Sequence, residues 1–286
     1  MPQPTNKKNQ EIIKSILKAF DKEVIGAEKD LMSLVLLEVI PMLQTDADGL
    51  LIANEYNYTK LNNIDKTLNK FTTVFTDQTL KPLAFEMLGM TTLSLNYFKN
   101  MGFKEATLDK IAKNLDFLHQ RIGIDNKGKV IVGSYIDRLG KMQAVKDNIA
   151  AYVNQSIAQK SGKTAFVKGF KELLVTSKQN NGAMTKYMKT YVHDTIYQLK
   201  RSNDDYMAVQ LELNNAIYQG TVIDTTRDFC ASRVGRVFTR DEIASWKLLN
   251  YPYFPPNYDP FIDMGGYNCR HWYDWISDEY AEELKE

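Results

Sequence analysis

Cys230 and Cys269 are the only cysteines in a chain of 286 residues, and His271, one of three histidines, stands two positions beyond the second. Two thiols and an imidazole in one segment admit several chemistries. Zinc takes about four N, S or O ligands in a tetrahedron. A Cys-x-His pair on an extended segment presents both side chains on one face, so Cys230, Cys269 and His271 would supply three ligands. His193, Asp224, Asp228 and Asp263 are the candidates for a fourth, and no Cys-x-x-Cys knuckle accompanies them. A Cys230–Cys269 disulfide is a second alternative, opposed wherever the surroundings are reducing. A cysteine nucleophile with His271 or His193 as its base is a third. Plain packing is the expectation adopted, with two small buried thiols under tryptophans and His271 held by a local hydrogen bond. No cofactor is therefore expected, zinc being the one metal these residue types would suit.

The charged residues around the thiols read as structural. Arg227, Arg233 and Arg270 lie near Asp224, Asp228 and Asp263, and a planar guanidinium pairs well with a carboxylate. A lattice of such pairs is expected to hold an irregular segment together. Between Lys160 and Arg201 nine Lys or Arg face only Glu172 and Asp194. Lys160, Lys163, Lys168, Lys171, Lys178, Lys186 and Lys189 thus form a candidate face for DNA or an acidic partner, or else a solvated helix surface. No phosphate loop, Gly-x-Ser-x-Gly elbow, His-Glu-x-x-His or dinucleotide fingerprint is present, and the chain is read as non-enzymatic.

The elements that must position these residues are mostly helices. From Glu11 to Leu43 apolar residues recur at three- and four-residue spacing until Pro41 ends the run. Similar stripes predict helices over 61–75, 80–100, 105–120, 134–159, 163–176 and 182–215, with Ser161 or Thr164 as a cap near 160. A short hairpin is expected over 124–132 around an Asn/Gly turn. After residue 215 the pattern changes to short β-branched runs, a brief helix at 230–235, and a capping box of Thr239 and Glu242. Tyr251–Phe261 holds five aromatics and four prolines and cannot be regular structure. A turn at Gly265-Gly266, a strand and a short acidic terminal helix complete the reading. The fold class is mainly α with a small α+β C-terminal module. The expected division is a helical region over 1–160 and a module over 161–286, its motif core at 216–275.

Composition sets the outer bounds. A 44% hydrophobic content can bury a real core, and a net charge of +1 carries no global commitment to nucleic acid or membrane. No stretch is apolar for long enough to span a bilayer, and the polar start offers no signal segment.

Three runs carry a family resemblance: Tyr218-Gln-Gly-Thr-x-x-Asp224-x-x-Arg227-Asp228-Phe-Cys230, Gly235-Arg-Val-Phe-Thr-Arg-Asp-Glu-Ile243, and Gly265-Gly266-Tyr-Asn268-Cys269-Arg270-His271-Trp272. Together they resemble the minor head or head-morphogenesis proteins of tailed phages, the Mu F-like and SPP1 minor-head-like relatives. The likeness covers roughly 190–275 and is only architectural before that. This chain has Gly-Gly-Tyr-Asn-Cys-Arg-His where many relatives have a His-Pro-Asn-Cys-Arg-Cys type of ending. The resemblance implies a virion component made in the host cytoplasm, present in several copies, and partnered by the portal protein or capsid subunits and in some relatives by packaged DNA. The rival classes are a metal- or thiol-dependent enzyme or effector delivered with the genome, and a DNA-binding packaging factor.

Overall fold

The computed structural model describes residues 6–115, 122–125 and 127–284. The end of the helix expected over 105–120, the turn residue Asn126 and the last acid, Glu286, lie outside the described residues. In chain order the helices are α1 (Lys7–Glu38), α2 (Glu55–Thr59), α3 (Leu61–Phe75), α4 (Lys81–Asn100), α5 (Glu105–Lys113), α6 (Tyr135–Lys141), α7 (Gln143–Ala158), α8 (Lys163–Leu174) and α9 (Ala183–Gln210). Then come β1 (Asn215–Gln219), α10 (Asp228–Ala231), β2 (Val237–Thr239), α11 (Arg240–Ser245), β3 (Trp272–Ile276) and α12 (Asp278–Glu283). The chain is mainly α with a small antiparallel sheet near its C-terminus. No described helix is long and apolar enough to cross a membrane.

The chain packs as two compact units that interleave along the sequence. One comprises residues 1–16, 85–119 and 192–286; the other comprises 17–84 and 120–191. The boundary expected at 160 falls inside the second of these, at the turn between α7 and α8.

In the second unit the long stripe of α1 buries Leu17, Phe20, Val24, Leu31 and Val35, and a 3₁₀ turn carrying Pro41 follows it. Glu28 on the same helix is fully buried and accepts from the backbone N–H groups of Thr176 and Thr185, each at 2.8 Å. Thr185 lies in the first turn of α9, whose orphan N–H groups and positive dipole end favour an anion. Two sequence expectations are corrected here. The helix expected over 134–159 is broken at Met142, whose left-handed backbone (φ 45°) separates α6 from α7. The hairpin over 124–132 reduces to a single bridge, Ile124 to Val130. The Asp125 carboxylate accepts from the N–H groups of Lys127 and Lys129, so a side chain closes the turn in place of a longer ladder. The cap near 160 is Gly162, with no side-chain bond, while the Gly49 carbonyl accepts from Lys163 N–H.

In the first unit the sheet runs β2-β1-β3, all antiparallel, with Asn215 opposite both Thr239 and Ile276 and Gln219 opposite Trp272. Alternation on β1 sends Ala216 and Tyr218 into a core that also holds Tyr97, Phe98, Met207, Trp246 and Trp275. Strand β3 is an edge, yet all five of its residues are buried. Asn6, fully buried, helps to cover it by donating its N–H to Asp274 Oδ1 (2.8 Å) and its side-chain amide to the Tyr273 carbonyl (3.2 Å). The capping box of Thr239 and Glu242 forms as the spacing predicts, at the start of α11.

Candidate functional site

The thiols meet because three irregular segments fold over β1. Cys230 sits on the single turn of α10, and Tyr218 of β1 donates its hydroxyl to Cys230 Sγ at 3.2 Å. The same hydroxyl lies 4.0 Å from Cys269 Sγ. Cys269 and His271 lie in the irregular chain just before β3, with Cys269 Sγ 3.5 Å from His271 Nδ1. The ligand atoms of Cys230, Cys269 and His271 lie within 4.8 Å of one another, and this is the one such cluster of His, Cys and acid side chains among the described residues. His193, Asp224, Asp228 and Asp263 stand outside it.

Glycines admit the sulfurs. A Cβ on Gly265 would lie 2.3 Å from Cys230 Sγ and 3.5 Å from Cys269 Sγ. Gly266 turns the chain at φ 84°, and a Cβ there would meet the Tyr253 carbonyl. Asn268 takes the left-handed conformation (φ 60°) that Asn tolerates better than most residues, and so reverses the chain just before Cys269. Gly235 makes a similar turn (φ 82°) ahead of β2. Trp272 donates its indole N–H to Asp274.

Arg227 and Arg233 hold the segments through backbone carbonyls, in place of the expected pairing with Asp224, Asp228 and Asp263, while Arg270 pairs with an acid from α9. Arg227 donates to the carbonyls of Gly265 (2.9 Å) and Tyr267 (2.6 Å) and stacks over Tyr253. Arg233 donates to the Phe229 carbonyl and lies over the rings of Phe229 and Trp246. Arg270 pairs with Asp194 of α9 at 3.2 Å, and Asp194 also accepts from Asn268 N–H. Asp224 and Asp228 are exposed, and Asp263 accepts from Gln198 and from Asp259 N–H. The physical reason is that turn-rich chain has carbonyls without ladder partners, and a guanidinium fork serves two or three of them at once.

Arg201 shows the same device most fully. It is 4% exposed and donates to the carbonyls of His271 (3.0 Å), Ile262 (2.8 Å) and Cys269 (2.6 Å). Its neighbour Lys200 is buried too, bonded to both oxygens of Asp204 (2.6 and 2.5 Å) and to Asn6 (3.3 Å). Two of the nine cations counted into the basic run are therefore interior. The i,i+4 spacing of Lys200 and Asp204 was the available signal for their pairing. Of the candidate partner face, Lys160, Lys163, Lys168, Lys171, Lys178 and Lys186 are exposed and Lys189 is half-buried.

Electrostatics divides the two thiols. The hydrogen bond from Cys230 holds the Cys269 thiol well below its ordinary value, with His271 and Arg201 adding to the effect. The same bond, then burial, pushes the Cys230 thiol up. Burial likewise raises the Tyr218 phenol, and the two sulfurs add to it. A low-pKa thiol beside an imidazole has the ingredients of a nucleophile, but the sulfurs are 2% and 4% exposed, and no substrate reaches them in this conformation. Two sulfurs, an imidazole nitrogen and a phenol oxygen converge in the buried interior, a set of donor atoms of the kind that holds a metal ion. Comparison of the chain with protein-family models, curated proteins and solved structures finds no match.

Proposed function

We propose that this protein is a minor head or head-morphogenesis component of a tailed phage, bound in a few copies near the portal vertex and acting as a structural part. The observation that carries the reading is the convergence of the three motif runs. Tyr218 N–H donates to the Arg236 carbonyl and the Tyr218 carbonyl accepts from Gly235 N–H. Tyr218 also reaches Cys230, while Arg227 holds Gly265 and Tyr267. Motif residues thus support one another inside a single compact module, as expected of a family core that is inherited as a unit. Quantification by mass spectrometry in purified particles of the encoding phage, normalised to the portal protein, tests it. Retention at a few to about a dozen copies is expected for a vertex component, and absence from particles would overturn it.

A second reading, contact with packaged DNA, draws on the six exposed lysines between 160 and 186. Binding of duplex DNA that falls steeply with salt would favour it, and a flat salt response would remove it.

A further inference from the structure

We propose that Cys230, Cys269 and His271 form a closed structural zinc site whose fourth ligand is the phenol oxygen of Tyr218. This goes beyond the head-protein reading and does not rest on it. In a tetrahedral site with Zn–S of about 2.3 Å and Zn–N or Zn–O of about 2.0–2.1 Å, ligand atoms stand about 3.5 Å apart across an S–N or S–O edge. Cys269 Sγ and His271 Nδ1 are 3.5 Å apart, and Tyr218 Oη is 3.2 and 4.0 Å from the two sulfurs. These three edges need only small movements to reach that value, and the widest separation in the cluster, up to 4.8 Å, closes as the ligands draw in around the ion.

The surroundings have the character of a structural rather than a catalytic centre. All four residues are buried, His271 most weakly at 7% exposure, and structural zinc sites are closed by four protein ligands. Tyr218 Oη, Cys269 Sγ and His271 Nδ1 find their hydrogen-bond partners within the cluster itself. The chain segments that bear the ligands are fixed from behind: Arg201 binds the carbonyls of both Cys269 and His271, and Arg227 binds the Gly265 carbonyl beside Cys230. Such outer contacts orient ligands and hold a site in register. The buried Arg201 cation would also offset the negative charge of two thiolates and a tyrosinate around a divalent ion. Two cysteines thirty-nine positions apart escape the knuckle spacings by which zinc sites are usually spotted.

The test uses the full chain, purified under reducing conditions without chelator. Elemental analysis is expected to find about one zinc per chain. Cobalt substitution is expected to give the intense visible bands of a tetrahedral ion together with thiolate charge transfer. Tyr218→Phe, which keeps the ring, is expected to retain cysteine–cobalt charge transfer while weakening zinc at least tenfold, and Cys269→Ser to abolish binding. Because Cys269→Ser could also fail to fold, the Tyr218→Phe variant and the wild-type metal content decide. Less than about a tenth of an equivalent after zinc supplementation, a pale octahedral cobalt spectrum, or a Cys230–Cys269 disulfide in the intact mass of fresh protein would each overturn the zinc site. Zinc affinity unchanged in Tyr218→Phe would overturn the phenol ligand.

Discussion

Arg201 offers the sharpest test of how the motif module is held. Its guanidinium serves three carbonyls at 2.6–3.0 Å from an almost fully buried position. Replacement by Met fills much of the volume but strands those carbonyls, each costing about 1–3 kcal/mol. Relief of the buried charge offsets part of this, since removing a desolvated cation is itself favourable. The net expectation is a loss of about 3–5 kcal/mol, a large share of the roughly 5–15 kcal/mol that a domain commands. Arg201→Lys keeps the charge but has no planar fork to reach three acceptors in different directions, so it should recover less than half of the loss. The assay is built into the chain: Trp246, Trp272 and Trp275 are its only tryptophans and all lie in the unit that contains Arg201. Urea unfolding followed by tryptophan fluorescence therefore reads this unit directly. With a slope of about 2 kcal/mol per molar, the Met variant should shift the midpoint down by about 1.5–2.5 M. A Met variant within about 0.5 kcal/mol of wild type would refute the reasoning, because it would mean the three carbonyls find other partners at no cost.

The remaining predictions follow the same logic. Gly265→Ala should lower the melting temperature by about 3–8 °C through overpacking of about 1–3 kcal/mol, because its Cβ meets Cys230 Sγ while Arg227 pins the backbone; an unchanged value in calorimetry would show that the segment can shift. Glu28→Ala should cost about 2–4 kcal/mol by orphaning the N–H groups of Thr176 and Thr185, and Glu28→Gln, which keeps one acceptor, about half as much; chemical denaturation followed by far-ultraviolet circular dichroism checks the order. Burial raises the Asp263 carboxyl from its ordinary value, against opposing hydrogen bonds from Asp259 N–H and Gln198. A carboxyl raised in the folded state contributes its stability below the unfolded value and loses it as pH rises through the folded one. Asp263→Asn should therefore gain on wild type as pH rises above the ordinary carboxylate value of about 3.9, and a wild type that gains on the variant as pH rises from there would contradict the assignment.

Helix positions were legible because they follow from one-dimensional periodicity, as in α1 with its buried 13-17-20-24 stripe. The capping box of α11 was legible for the same reason: both partners lie within one turn. The convergence of Cys230, Cys269 and His271 was readable as a chemical grouping, yet the phenol of Tyr218 was not. It enters from a strand whose pairing with β2 and β3 is long-range, and nothing local marks which tyrosine of sixteen faces the thiols. The burial of Arg201 and Lys200 was not legible, because sequence shows a cation's presence but not its burial. Their partners, His271, Ile262 and Cys269 for one and Asp204 and Asn6 for the other, lie mostly sixty or more residues away.

The same demand for buried hydrogen-bond partners bears on the composition of the motif runs themselves. A module built from a three-stranded sheet and turns leaves many carbonyls outside any ladder, and water cannot reach those in its interior. Arginine, with five donors and no acceptor, is the side chain best suited to collect them, and Arg201, Arg227 and Arg233 end on main chain, while Arg240 and Arg270 pair with Asp205 and Asp194. Glycine and asparagine appear where the chain must reverse or approach a sulfur, at Gly265, Gly266 and Asn268. Residues of types usually associated with catalysis or anion binding here do the work that hydrogen-bonded strands do elsewhere. The thiol cluster then lies where the first and third runs meet, the point at which one bound ion would fasten both at once.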